Sequence, residues 1–86
     1  MNINYARHFK KQFTKLDSSI KQQFVARIDI LRENQHHPLL KIHKLHGPLK
    51  GLCSLNINAD YRVIFYRVDR DTIILTQIGT HSELYS

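Results

Sequence analysis

Eighty-six residues with 42% hydrophobic and 23% charged content describe an ordinary small globular chain, not a disordered one, with room for a single core. A lone cysteine, Cys53, excludes an internal disulfide framework and suits a reducing compartment. The charge of +6 is uneven, with ten Lys/Arg against three acids in residues 1–50 and three against four in residues 51–86, so the basic half points to a polyanion or to an acidic protein partner.

Ile3-Asn4-Tyr5 alternates and predicts a short first strand. From Ala6 the period becomes helical, with Phe9, Phe13 and Leu16 on one face and Lys10, Lys11 and Lys15 elsewhere. Asp17-Ser18-Ser19 ends this helix and caps the next, with Ser19-x-x-Gln22 reading as a capping box. The second helix runs to about Asn34 on the stripe Ile20, Phe24, Ile28 and Leu31, and Pro38 closes it. Leu39–Leu49 reads as a connector with a turn at Gly47-Pro48. Strand alternation returns after Gly51, with Cys53, Leu55 and Ile57 to one side and Ser54, Asn56 and Asn58 to the other.

Asn58-Ala59-Asp60 turns into two β-branched and aromatic runs, Tyr61–Val68 and Thr72–Ile78. Asp69-Arg70-Asp71 separates them, the pattern of an antiparallel hairpin. Gly79 is expected to supply backbone freedom for a sharp turn into the tail. The order β-α-α-β-β-β predicts one α+β domain over residues 1–86, with a central antiparallel sheet and two helices on one face. No apolar run nears the roughly 20 residues that span a bilayer. The amino terminus carries no secretory pattern, so a cytoplasmic protein without a membrane partner is expected.

The chemistry suggested by residue type is narrow. Six histidines raise a metal site, with His43-x-x-His46 and His36-His37 as donors, but no CxxC or HExxH spacing supports one. Gly47, Gly51 and Gly79 fit no phosphate loop or dinucleotide fingerprint, so no cofactor is expected. Cys53 lies in an apolar alternation that suits an inert thiol.

Metal-free RNA cleavage fits better. The RNA's own 2′-hydroxyl attacks the adjacent phosphate, which requires a proton acceptor, a proton donor for the leaving 5′-oxygen, and cations for the charged phosphorane. His46, Asp60, Arg62 and His81 supply those types, and Tyr85 offers a ring on which a base can stack. Each also has a structural role open to it: Asp60 in a turn, Arg62 as a strand charge, His81 as a cap, Tyr85 as a cover for the sheet edge.

The segments D-Y-R-V-I-F-Y-R-V, H-G-P-L-K-G and G-T-H-S-E-L-Y resemble the RelE/ParE superfamily of bacterial toxin–antitoxin toxins, and especially its YafQ branch of mRNA interferases. That resemblance spans nearly the whole chain and implies a RelE-like compact fold. It implies a metal-independent endoribonuclease that cuts messenger RNA in the ribosomal A site. Its expected partners are the ribosome-bound message and a cognate antitoxin, through which the complex binds operator DNA. Carried over by position, His46 and Asp60 match active-site residues, His81 the general acid and Arg62 a phosphate-binding arginine. Tyr85 stands where phenylalanine is frequent. Lys10, Lys11, Lys41, Lys44 and Lys50 are the expected RNA-phosphate contacts. Asn56 and Ser54 depart from a histidine and an acid of that pattern, which leaves His46 assisted by Asp60 as the expected base. A non-catalytic gyrase-inhibiting toxin of the ParE kind and an inactive antitoxin-binding member remain alternatives.

Overall fold

The computed structural model describes residues 1–85; Ser86, the end of the tail, lies outside the described residues. Strand β1 (Asn2–Tyr5) leads into helices α1 (Arg7–Thr14) and α2 (Ser18–Glu33). A two-residue strand β2 (His43–Lys44) precedes β3 (Cys53–Asn56), and the long hairpin β4 (Tyr61–Asp69) and β5 (Thr72–Thr80) ends in helix α3 (His81–Tyr85). The predicted order is present, with β2 and α3 added to it.

The five strands run β1-β5-β4-β3-β2. Neighbours are antiparallel except β1 and β5, which pair in parallel with Ile3 opposite Ile73. Between β1 and β5 the chain runs through α1, α2 and strands β2–β4, which gives it the long crossover that a parallel pair requires. Past Tyr5 the outer edge of β5 is covered by α1, where the Ile78 amide donates to Gln12 Oε1 at 2.9 Å. A covered edge offers no template for another strand.

Alternation decides the two faces. Leu55, Val63, Phe65, Leu75 and Ile78 point to one side and close a core with Phe9, Phe24, Ile28 and Leu31 from the helices. Phe9, Phe13 and Phe24 interlock with ring centroids 5.1–5.8 Å apart, a spacing at which aromatic pairs add about 0.5–1.5 kcal/mol each beyond burial. Asn56, Arg62 and Ile64 point to the other side, which α1 and α2 leave open.

Three local expectations are corrected. The α2 cap is Asp17, not Ser19: the Asp17 carboxylate accepts from the Ile20 amide at 3.1 Å and from the Ser19 hydroxyl at 2.7 Å. Those bonds, Ser19 first, hold its carboxyl below the usual range. Gly79 is a buried strand residue inside β5 rather than a bend. Helix α3 packs close over it: a Cβ there would lie 3.2 Å from Glu83 Oε1 and 3.4 Å from Leu84 Cδ2, so those side chains would have to give by a few tenths of an ångström. Positive φ belongs instead to Lys41 (+47°), Gly47 (+64°) and Gly51 (+94°), and the two glycines avoid the steric cost other residues carry there. Lastly, Ser54 is fully buried although it shares the polar side of β3, because α3 folds over it.

Candidate active site

The site grows from one row across the open face, in which Asn56 pairs with Arg62 and Arg62 with Gly79. The turn before Arg62 is tightly built. Asn58 Oδ1 accepts from the amides of Asp60 (2.9 Å) and Tyr61 (2.8 Å), and Asn58 Nδ2 donates to Gln23 on α2 at 2.7 Å. Arg62 Nη1 then donates to the carbonyls of Asn58 at 2.7 Å and Tyr61 at 3.1 Å. One guanidinium nitrogen is thereby fixed by backbone, and the rest of the fork remains to meet a ligand.

Helix α3 brings the second group. Thr80-x-x-Glu83 is a capping box: Glu83 Oε1 accepts from the Thr80 amide at 2.7 Å, and the Glu83 amide donates to Thr80 Oγ1 at 3.2 Å. Its bonds with Thr80, the backbone one foremost, hold the Glu83 carboxyl below the usual range. His81, the first helical residue, donates its amide to the Asp60 carbonyl at 2.9 Å. Four residues on, Tyr85 returns to the same face, with its ring centroid 4.6 Å from that of His81 and the planes inclined by 53°.

Strand β2 brings the third. His43 pairs with Ser54, so its side chain falls on the open face. His43 Nδ1 lies 2.9 Å from the Lys41 carbonyl oxygen. A carbonyl only accepts, so Nδ1 carries the proton and, in the neutral ring, Nε2 keeps a free lone pair.

Together Arg62, His81, Tyr85, Asn56, His43, His46, Lys41, Lys44 and Leu45 line a hollow of about 570 Å³. It joins groups 38 residues apart in sequence, from His43 to His81, and none of the residues lining it is acidic. Three imidazoles, a guanidinium and two ammonium groups suit a polyanion, and imidazole is a side chain suited to proton transfer. Among the described residues no group of three His, Cys, Asp or Glu side chains is arranged to hold a metal ion.

Of the residues expected from sequence, His46, Arg62, His81, Tyr85, Lys41 and Lys44 line this hollow. Asp60 does not: its carboxylate is exposed, and the residue contributes its backbone carbonyl to hold His81. Lys50 borders a neighbouring groove with Arg67, Leu52 and Cys53. Lys10 and Lys11 stand exposed on α1 and take no part in the hollow. His43 and Asn56 were not among the expected site residues. His43 had been weighed only as a metal donor, and a strand of two residues shows no alternation to reveal which way it faces.

The fold is shared with solved toxins. YafQ from E. coli strain BL21(DE3) superposes with a TM-score of 0.82 at 19% identity, covering 99% of this chain and 98% of that one. A YoeB/ParE toxin from Agrobacterium tumefaciens gives 0.75 at 16% identity, covering 94% and 99%. In the E. coli DinJ–YafQ complex the corresponding values are 0.71 and 20%, covering 99% and 98%. No curated protein matches the sequence. The family described as "Bacterial toxin of type II toxin-antitoxin system, YafQ" matches residues 1–86. With the whole chain matched, this protein belongs to the YafQ family of bacterial type II toxin–antitoxin toxins.

Proposed function

We propose that this toxin is a ribosome-dependent, metal-independent endoribonuclease that cuts messenger RNA in the cytoplasm. The observation that supports this reading best is the meeting of His43, His46, His81 and Arg62 in one cationic hollow. His43, with Nδ1–H held by the Lys41 carbonyl, takes the 2′-hydroxyl proton on Nε2. The 2′-oxygen then bonds to phosphorus as the bond to the 5′-oxygen breaks, and His81 delivers a proton to that leaving oxygen. Arg62, Lys41 and Lys44 balance the extra charge of the phosphorane. His46, which also borders the neighbouring groove, contacts phosphate, and the Tyr85 ring supports a base.

Lys10, Lys11 and Lys50, away from the reacting atoms, hold ribosomal or messenger RNA phosphates. A cognate antitoxin is the protein partner, as DinJ is for YafQ in the solved complex. The basic surface suits an acidic antitoxin segment, and the toxin–antitoxin pair reaches operator DNA through the antitoxin.

Induction of the wild type and of His81→Ala, with primer extension on a chosen message, tests the reading. Wild-type induction should arrest growth and give discrete cuts, and His81→Ala should do neither. Growth arrest with intact messages and a rising DNA-damage response would instead place the target at DNA gyrase.

A further inference from the structure

Helix α3 has five residues, too few to be stable alone, yet it carries both His81 and Tyr85. Its first turn is fixed by the Thr80–Glu83 box and by its close approach to Gly79. Its far end is held differently. The Tyr85 hydroxyl donates to Ser54 Oγ at 3.0 Å, across 31 residues of sequence. Ser54 has no exposed surface, and it is the buried polar residue of the sheet. A buried hydroxyl stripped of its partner is costly, so this bond is not easily given up.

The consequence reaches the hollow, because the Tyr85 ring lies against the His81 ring. We infer that Ser54 is a positioning residue: through Tyr85 it fixes the end of α3 and so the direction in which His81 presents its imidazole. With its hydroxyl turned to the sheet, Tyr85 offers the hollow a ring face rather than a proton. Its effect on turnover rests on the ribonuclease reading above, whereas the effect on His81 itself does not.

The test compares Ser54→Ala, Tyr85→Phe and the double variant in the full chain. Two quantities are read: the His81 imidazole titration by NMR, and kcat and KM on ribosome-bound message. Each single variant should shift the His81 titration and lower kcat about five- to tenfold, the scale of one ordinary hydrogen bond, with KM little changed. The double variant should be no worse than either single one, since both remove the same bond. Tyr85→Phe deletes one oxygen and no packing, so it decides the matter should Ser54→Ala fold poorly. A wild-type His81 titration in Tyr85→Phe, or kcat losses that multiply in the double variant, would overturn the inference. If the wild type itself cuts no message, the ribonuclease reading fails, and the His81 titration still judges the role of Ser54.

Discussion

At the scale of single residues, orientation separates the histidines of the hollow. His43 has its tautomer set by a backbone carbonyl, and His81 is anchored through its amide and its neighbour's ring. His43→Ala and His81→Ala should each lower cleavage about 10²–10⁴-fold, the usual worth of a proton-transfer group, while His46→Ala, at a residue given only a phosphate contact, should lose far less. Single-turnover cleavage of ribosome-bound message measures this, and a His46 loss matching that of His43 would reverse their roles. Arg62→Lys should also cut activity strongly, because an ammonium lacks the fork that the Asn58 and Tyr61 carbonyls orient. His81, Arg62 and Tyr85 were legible in the sequence through their chemical types and the resemblance carried by D-Y-R and G-T-H-S-E-L-Y, whereas the register irregularities at Ile64/Phe65 and Arg67/Asp69 left no mark in the alternation. His43 was not, since its facing depends on how residues 45–52 loop back to pair Lys44 with Cys53. Nor was the exposure of the Asp60 carboxylate, because a turn residue can act through its backbone alone.

Among the elements, α3 is the least self-sufficient and the nearest to the proposed chemistry. Its Thr80-x-x-Glu83 capping box was not read from the sequence, where the segment after Gly79 stood as a tail. Its packing on Gly79 and Ser54 adds to what the box begins. Because Glu83 is held below the usual carboxylate range, its contribution is present above the unfolded glutamate value of about 4.3. That contribution is lost as pH falls through the lower folded value. Acid should therefore loosen α3 before the core melts. In Glu83→Ala the His81 and Tyr85 NMR signals should show that loosening already at neutral pH. The helices behind the sheet are the opposite case. The stripe through Phe24, Ile28 and Leu31 was plain from its period, and all three are buried. Phe24→Ala should cost about 3–5 kcal/mol in denaturant unfolding, with the hollow's residues untouched.

For the whole molecule, one sheet serves two purposes. One face carries the core beneath α1 and α2, and the other is left free to hold polar groups. The element order and the helix-covered face followed from alternation and helical period. The parallel partner of β1 did not, because pairing between the two ends of the chain leaves no local mark. The positive charge of the hollow predicts salt-sensitive binding. Replacing Lys41 and Lys44 together by Gln should flatten the dependence of RNA affinity on salt more than replacing Lys10 and Lys11. The chemistry of the cut ends tests the central claim most directly. Messages cut on induction should carry a 5′-hydroxyl on one fragment and a 2′,3′-cyclic phosphate, or the 3′-phosphate from its opening, on the other. Fragments bearing 5′-phosphate and 3′-hydroxyl would contradict attack by the RNA's own 2′-oxygen, and with it the roles given to His43 and His81.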